Sequence, residues 1–178
     1  MRDAMLSVSG ELDLQAGGRP IDLNATPAIP RRSVYGFTNR DIIANLMSTF
    51  DSANPNACTA KRPETTVPQQ TLFALNSDFI QDRAARVALV TKTLNLPNFE
   101  ARAREMIQRI LGREPTQSEL ERVNAFLRNA SEAANVANSA GDTENPENRE
   151  LNHEQVTESA WTQLAHALLA SNEFIFLD

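Results

Sequence analysis

The residues best suited to chemistry lie between Phe50 and Asn76, in the stretch FDSANPNACTAKRPETTVPQQTLFALN. It holds the single cysteine, Cys58, with Lys61 and Arg62 three and four residues downstream. Nearby cations favour the thiolate, the nucleophilic form. A nucleophilic cysteine also needs a base, and the two histidines, His153 and His166, lie far along the chain. The plainer account is a small cysteine buried in the loop, since free cysteine is among the most buried residue types, and the sequence favours it.

Asp51, Asn54, Asn56, Arg62, Thr65, Thr66, Gln69 and Asn76 form a dense polar set around Cys58. As a pocket wall they would hydrogen-bond a polar ligand such as a sugar or a peptide. Asp51, Asn56, Cys58, Arg62, Gln69 and Asn76 are the binding candidates on that reading. The competing account is that Asp and Asn bond neighbouring backbone amides, while Arg62 pairs with Asp51 or with helix-end carbonyls. The balance favours it, because so polar a loop must satisfy its own groups whether or not it binds anything. Pro55, Pro63 and Pro68 stiffen the loop in either case. Asp51 or Asp41 with Glu64 makes only a weak acid/base pair, so no catalytic residue is assigned.

Composition narrows the classes. A chain of 178 residues with 41% hydrophobic and 22% charged residues is long enough for one domain, 1–178, with its own core. Few glycines and 6% aromatics disfavour a β-sandwich. A net charge of -6 gives no long-range attraction for phosphate backbones, which argues against nucleic-acid binding. One cysteine excludes an internal disulfide, a cysteine-based zinc site and covalent c-type haem attachment. His153 and His166 point in different directions on one helix, so no metal site is expected. No apolar run is long enough to span a bilayer, and the N-terminus is not a signal peptide.

The elements that must position the loop are helical. Ala4, Met5 and Val8 mark a helix over residues 1–9 that Gly10 stops. It starts at the first methionine without a cap, as a domain entered partway would. Residues 17–30 form an extended connector or surface loop. Residues 33–37, SVYGF, are expected as an extended segment packed on the core. Arg31-Arg32 before them is expected as a solvated or salt-bridged edge. Asn39 or Thr38 caps a helix from Arg40 to about Thr49. Thr66, Pro68 and Gln69 start another, carrying Leu72, Phe73 and Leu75. Asn76-Ser77-Asp78 opens a longer one with Phe79, Ile80, Ala84, Val87 and Thr91 on one side.

Phe99, Ala103, Met106, Ile107, Ile110 and Leu111 define a helix closed by Gly112. Thr116 and Glu119 make a capping box before Leu120, Val123, Leu127, Ala130 and Ala134. Residues 135–152 lose apolar character and are expected as a flexible surface connection. Asn152 and Gln155 cap the last helix, with Val156, Ala160, Trp161, Leu164, Ala167 and Leu168. Trp161 falls at a core position. The tail Phe174, Ile175, Phe176 and Leu177 docks onto the core. The fold class is mainly α: an irregular multi-helix domain with a long ordered Pro-rich loop and an extended N-terminal connector.

The segments MRDAMLSVSGELDL, RRSVYGFTNR, the Phe50–Asn76 block, ILGREPTQSEL and WTQLAHALLASNEFIFLD occur in this order, and over nearly the whole chain they resemble a planctomycete-specific C-terminal domain of unknown function. Such domains occur in large, usually exported proteins that often carry a planctomycete cytochrome c domain. The resemblance implies that this chain is the C-terminal part of an exported or periplasmic parent, truncated at its start. It also implies that haem, if used, belongs to an upstream domain and not to this chain. The resulting expectation is a non-catalytic structural or interaction module. Its partners would be other domains of the parent or an envelope protein. The alternatives are a hydrolase or carbohydrate-binding domain using residues 51–76, and an accessory to haem electron transfer.

Overall fold

The computed structural model describes residues 1–39, 43–53, 56, 58, 60, 68–140 and 146–175, with the backbone course alone for 134–140 and 146–156. It is mainly helical, as expected, with α1 Arg2–Val8, α2 Asn45–Thr49, α3 Pro68–Asn76, α4 Asp78–Thr93, α5 Phe99–Leu111, α6 Gln117–Ala140, α7 Pro146–Leu169 and α8 Asn172–Ile175. The chain divides into two compact units, Met1–Ile80 and Gln81–Asp178.

In the first unit, α1 buries the stripe Arg2, Met5, Leu6 and Ser9. The expected stripe was Ala4, Met5 and Val8, but Ala4 is exposed and Val8 only half-buried. The helical face is rotated because an arginine goes inward. Arg2 is 4% exposed, and its guanidinium donates to the carbonyls of Arg31 at 2.7 Å and Ile29 at 2.6 Å. It also lies 5.7 Å from the Phe79 ring. A buried guanidinium needs such partners to offset its desolvation. Asp3, the next residue, accepts from the Ser33 amide at 2.7 Å and from the Ser33 hydroxyl. Helix α1 is thus bolted onto the connector by charge.

The connector is fixed along its length. Asp13 bridges Arg31, and Ile21 bridges Gly36, both in parallel register. The Ile21 amide donates to Tyr35 at 2.9 Å, and the Phe37 amide to Ile21 at 2.7 Å. A Cβ at Gly36 would stand 2.5 Å from Leu23 Cδ1, so a larger residue here would require the Leu23 side chain to shift. Arg31 does not behave as an edge residue. It donates to the carbonyls of Gln15, Gly17 and Arg19 and lies 4.6 Å from the Tyr35 ring, gathering the loop around one cation. Arg32 does pair with Asp3 at 3.8 Å. Residues Ser33–Tyr35 form a 3-10 turn rather than an extended segment, and Val34 and Phe37 are exposed rather than packed.

Helix α2 begins at Asn45, not Arg40. Ile43 and Ala44 are non-helical, and Ala44 is its N-cap with ψ 136. Residues 40–42 lie outside the described residues, as do Thr66 and the N-terminal flank of α3. The first described position of α3 is Pro68, a residue suited to an opening turn. The side chain of Gln70 in α3 is buried and donates to the Thr49 carbonyl at the end of α2 (3.2 Å). Phe50 and Phe73 meet edge to face at 5.9 Å.

In the second unit, α4 buries Ala84, Val87 and Thr91 as expected, together with Arg83 and Ala88. Helix α5 runs between a true N-cap, Asn98, whose side chain accepts from the Ala101 amide at 2.8 Å, and Gly112 in the left-handed conformation. Ala103, Met106, Ile107 and Ile110 are its buried face. Phe99 is exposed instead.

Helices α6 and α7 form the most extensive helix pair, and α8 packs on α5 and α7. Residues 135–140 and 146–155 are helical, not a loose connection. They contain no proline or glycine except Pro146, which occupies the first position of α7 where its missing amide costs nothing. Asn152 and Gln155 therefore lie inside α7 rather than capping it. Trp161 is fully buried, with Ala160, Leu164, Ala165 and Leu169, while Ala167 is exposed and Leu168 half-buried. Phe174 and Ile175 of the tail are half-buried in α8, and residues 176–178 lie outside the described residues.

Two ionic clusters tie these helices together. Arg102 of α5 makes a two-bonded contact with Glu158 of α7, at 3.1 Å for each nitrogen. It also donates to the Ala88 carbonyl at 2.8 Å and lies 4.2 Å from the Trp161 ring. Lys92 reaches the same Glu158 at 3.6 Å. Beside α6, Arg113 bonds Glu119 and Glu173. Glu119 closes the capping box: it accepts from the Thr116 amide at 2.7 Å, and its own amide donates to the Thr116 hydroxyl at 3.3 Å. The Arg113 bonds, then those from Thr116, lower the Glu119 carboxyl from 4.5 to about 2. Glu173 is also lowered, again chiefly by Arg113.

Two consequences are measurable. Arg2→Met removes two charged hydrogen bonds to the connector, and we expect it to lower stability by about 2 to 3 kcal/mol. Limited proteolysis of this variant should show new cleavage within residues 11–37, and an unchanged pattern would contradict the clamp. Because the Glu119 pKa is depressed by folding, its contribution is present above about pH 4.5 and is lost as pH falls towards about 2. Glu119→Gln keeps a side chain that closes the capping box but loses the charged pairing with Arg113, so it should lower stability at pH 7 by at most about 1 kcal/mol and flatten the acid limb of a denaturation-midpoint series.

Candidate functional site

The site begins where α2 ends. Asp51 follows Phe50 with φ 53, a left-handed turn that an aspartate tolerates, and it is half-buried. Asn56 and Cys58 are exposed. The buried-cysteine expectation is therefore corrected: the thiol stands in solvent. Arg62, with Asn54, Glu64 and Thr65, lies outside the described residues.

Gln69 and Asn76 lie on α3 and are exposed. The Asn76 side chain donates to the Leu72 carbonyl at 2.8 Å, so this candidate bonds its own helix. Gln69, Leu72 and Asn76 are spaced to share one helical face, and Leu75 lies next to it. Leu72 is 57% and Leu75 50% exposed. The inward face of α3 is Gln70, 4% exposed, and Ala74, fully buried.

Of the apolar side chains that α3 carries, Leu72 and Leu75 thus face solvent, and Phe73 alone is half-buried. The physical reason is the Thr49 carbonyl at the end of α2. A donor must reach it, and Gln70 is the residue that does. Once Gln70 faces inward, periodicity carries Ala74 inward and both leucines outward. The pattern of apolar residues alone held no signal for this. A glutamine two residues after a helix-starting proline was the one visible clue.

Among the described residues, no group of three or more His, Cys, Asp or Glu side chains converges to hold a metal. No helix there is long and apolar enough to cross a membrane. The clefts lined by Trp161 and by Thr91–Arg102 belong to the second unit and include none of the candidates from residues 51–76. Asn56, Cys58, Gln69, Leu72 and Leu75 are each exposed to solvent.

Cys58 in the folded chain should react with a thiol reagent nearly as fast as in the denatured chain, and Cys58→Ser should leave the denaturation midpoint unchanged. Protection by a hundredfold or more would contradict the exposed placement.

Comparison with curated proteins and with solved structures finds no match. A family model does match. It covers residues 1–127, all of the first unit and the second as far as Leu127 in α6. The chain belongs to the family described as PSD1, Protein of unknown function (DUF1553).

Proposed function

We propose that this chain is a non-catalytic interaction module of a larger planctomycete envelope protein, and that the outward face of α3 is its docking surface. The observation that carries the reading is the facing of α3: Gln70 and Ala74 face in, Leu72 and Leu75 face out. Two leucines at this spacing on a helix, flanked by Gln69 and Asn76, are the pattern of a helix face that another surface covers. Exposed Asn56 and Cys58 in the adjoining loop add polar contacts at the rim. The first unit carries further exposed apolar side chains at Leu14, Val34 and Phe37, more than isolated surface residues require.

The partner on this reading is another domain of the parent chain, consistent with the resemblance to C-terminal domains of long exported proteins. A haem domain, where the parent has one, would lie outside these residues, and the module would position it rather than transfer electrons itself.

The test is binding in trans. The remainder of the parent polypeptide is titrated into this chain by calorimetry. Burial of two leucines corresponds to about 3 to 6 kcal/mol, so Leu72→Asp with Leu75→Asp should weaken binding by about 100-fold or more. Both positions are half exposed or more, so the denaturation midpoint should hardly move. Absence of binding by the unsubstituted chain, or equal binding by the doubly substituted one, would overturn the reading.

A further inference from the structure

The second unit holds a cleft of about 520 Å³ lined by residues of α4, α5, α6 and α7. Its volume lies in the range of small-molecule sites. Its apolar lining is the exposed ring of Phe99, with Leu127 and Trp161 buried behind it. The two rings lie 6.3 Å apart at an interplanar angle of 38°, so they form one continuous aromatic corner. Phe99 opens α5 and is largely exposed, although helical spacing would have placed it in the core. An aromatic ring left at the lip of an apolar cleft is poised to cover a bound apolar body.

The charges are uneven. Lys92, Arg128 and Glu158 line the cleft. Glu158 is already neutralised by the two-bonded contact from Arg102 and by Lys92. Arg128 has no carboxylate partner among the described residues, and it is exposed. In a chain with a net charge of -6, a cleft with a cationic surplus is a local departure from the overall balance. Trp161 adds a further feature: its Nε1 is buried with no hydrogen-bond acceptor among the described residues. A buried indole N–H ordinarily finds an acceptor.

We infer that this cleft binds a small amphipathic carboxylate, with its apolar body against the exposed ring of Phe99 and its anionic end at Arg128 and Lys92. A neutral apolar ligand would fill the same wall and leave the Arg128 guanidinium unused. A strongly charged, wholly polar anion would leave the aromatic corner uncovered. The amphipathic carboxylate satisfies both surfaces, and a guanidinium is well suited to hold a carboxylate through two bonds. The inference concerns the second unit alone and is independent of the α3 docking surface.

Trp161 is the sole tryptophan of the chain, so its emission reports on the cleft directly. The probes are octanoate and 1-octanol, which share an apolar body and differ in charge. Octanoate should give a saturable change in emission, with an affinity at least tenfold above that of 1-octanol. Arg128→Leu should lower the octanoate affinity at least tenfold and leave that of 1-octanol unchanged. Its position on the exposed side of α6 keeps folding intact, which circular dichroism checks. Arg128→Lys should recover part of the octanoate affinity. No saturable change with octanoate, equal affinity for both probes, or an octanoate affinity untouched by Arg128→Leu would each overturn the assignment.

Discussion

The first unit is organised by a buried cation. Among the described residues of this unit, Met5, Leu6, Ile21, Ala74 and Ile80 are the buried apolar side chains. Arg2 is buried with them. It joins α1 to the connector through the carbonyls of Ile29 and Arg31 and packs on Phe79. The connector can then follow a path that its own sequence, rich in Gly and Pro, would not hold. Arg31 gathers the 15–19 segment by the same means. Polar atoms that could not be buried alone become the cement of the unit, because each meets a partner.

The same economy explains α3. A unit that buries Gln70 to satisfy the end of α2 must turn the leucines of that helix outward. Cost and use then coincide: the exposed leucines are a liability for an isolated chain and an asset for one that docks. The second unit is built differently. Its helices carry wide apolar faces, Met106, Ile107 and Ile110 on α5 and Trp161, Leu164 and Leu169 on α7. Its ionic groups work at the edges, where Arg102 holds Glu158 and Arg113 holds Glu119 and Glu173. Neutralising Glu158 from behind is also what leaves the cleft beside Trp161 with a positive balance.

The helices of the second unit were the most legible in the sequence, for local reasons. Helix α5 has its end signalled by Gly112 and a strong periodicity between, and the Thr116–Glu119 box sits in the sequence as it sits in space. Trp161 was legible because a core period placed it. Features set by distant partners were not legible. Arg2 and Ile29, or Arg102 and Glu158, meet across long sequence separations that no pattern encodes. The facing of α3 belongs to this class, since periodicity identifies two opposite faces and only the partner decides which turns inward. The segment 135–152 misled for another reason. Its scarcity of apolar residues suggested a loop, yet the absence of helix breakers apart from Gly141 and Pro146, with α6 and α7 paired alongside, lets the helices run on to Ala140 and from Pro146. Of the candidate site, the helix α3 that follows it was legible, but the exposure of Cys58 and the role of Gln70 were not.

The central proposal is that the outward face of α3 is covered by another polypeptide segment. The most direct measurement places a photo-crosslinking benzoyl-phenylalanine at Leu72 in the full-length protein as it is made in the cell, followed by mass spectrometry of the adducts. The account predicts adducts between position 72 and a polypeptide segment outside these 178 residues. Adducts confined to residues within the chain, or none at all, would contradict it.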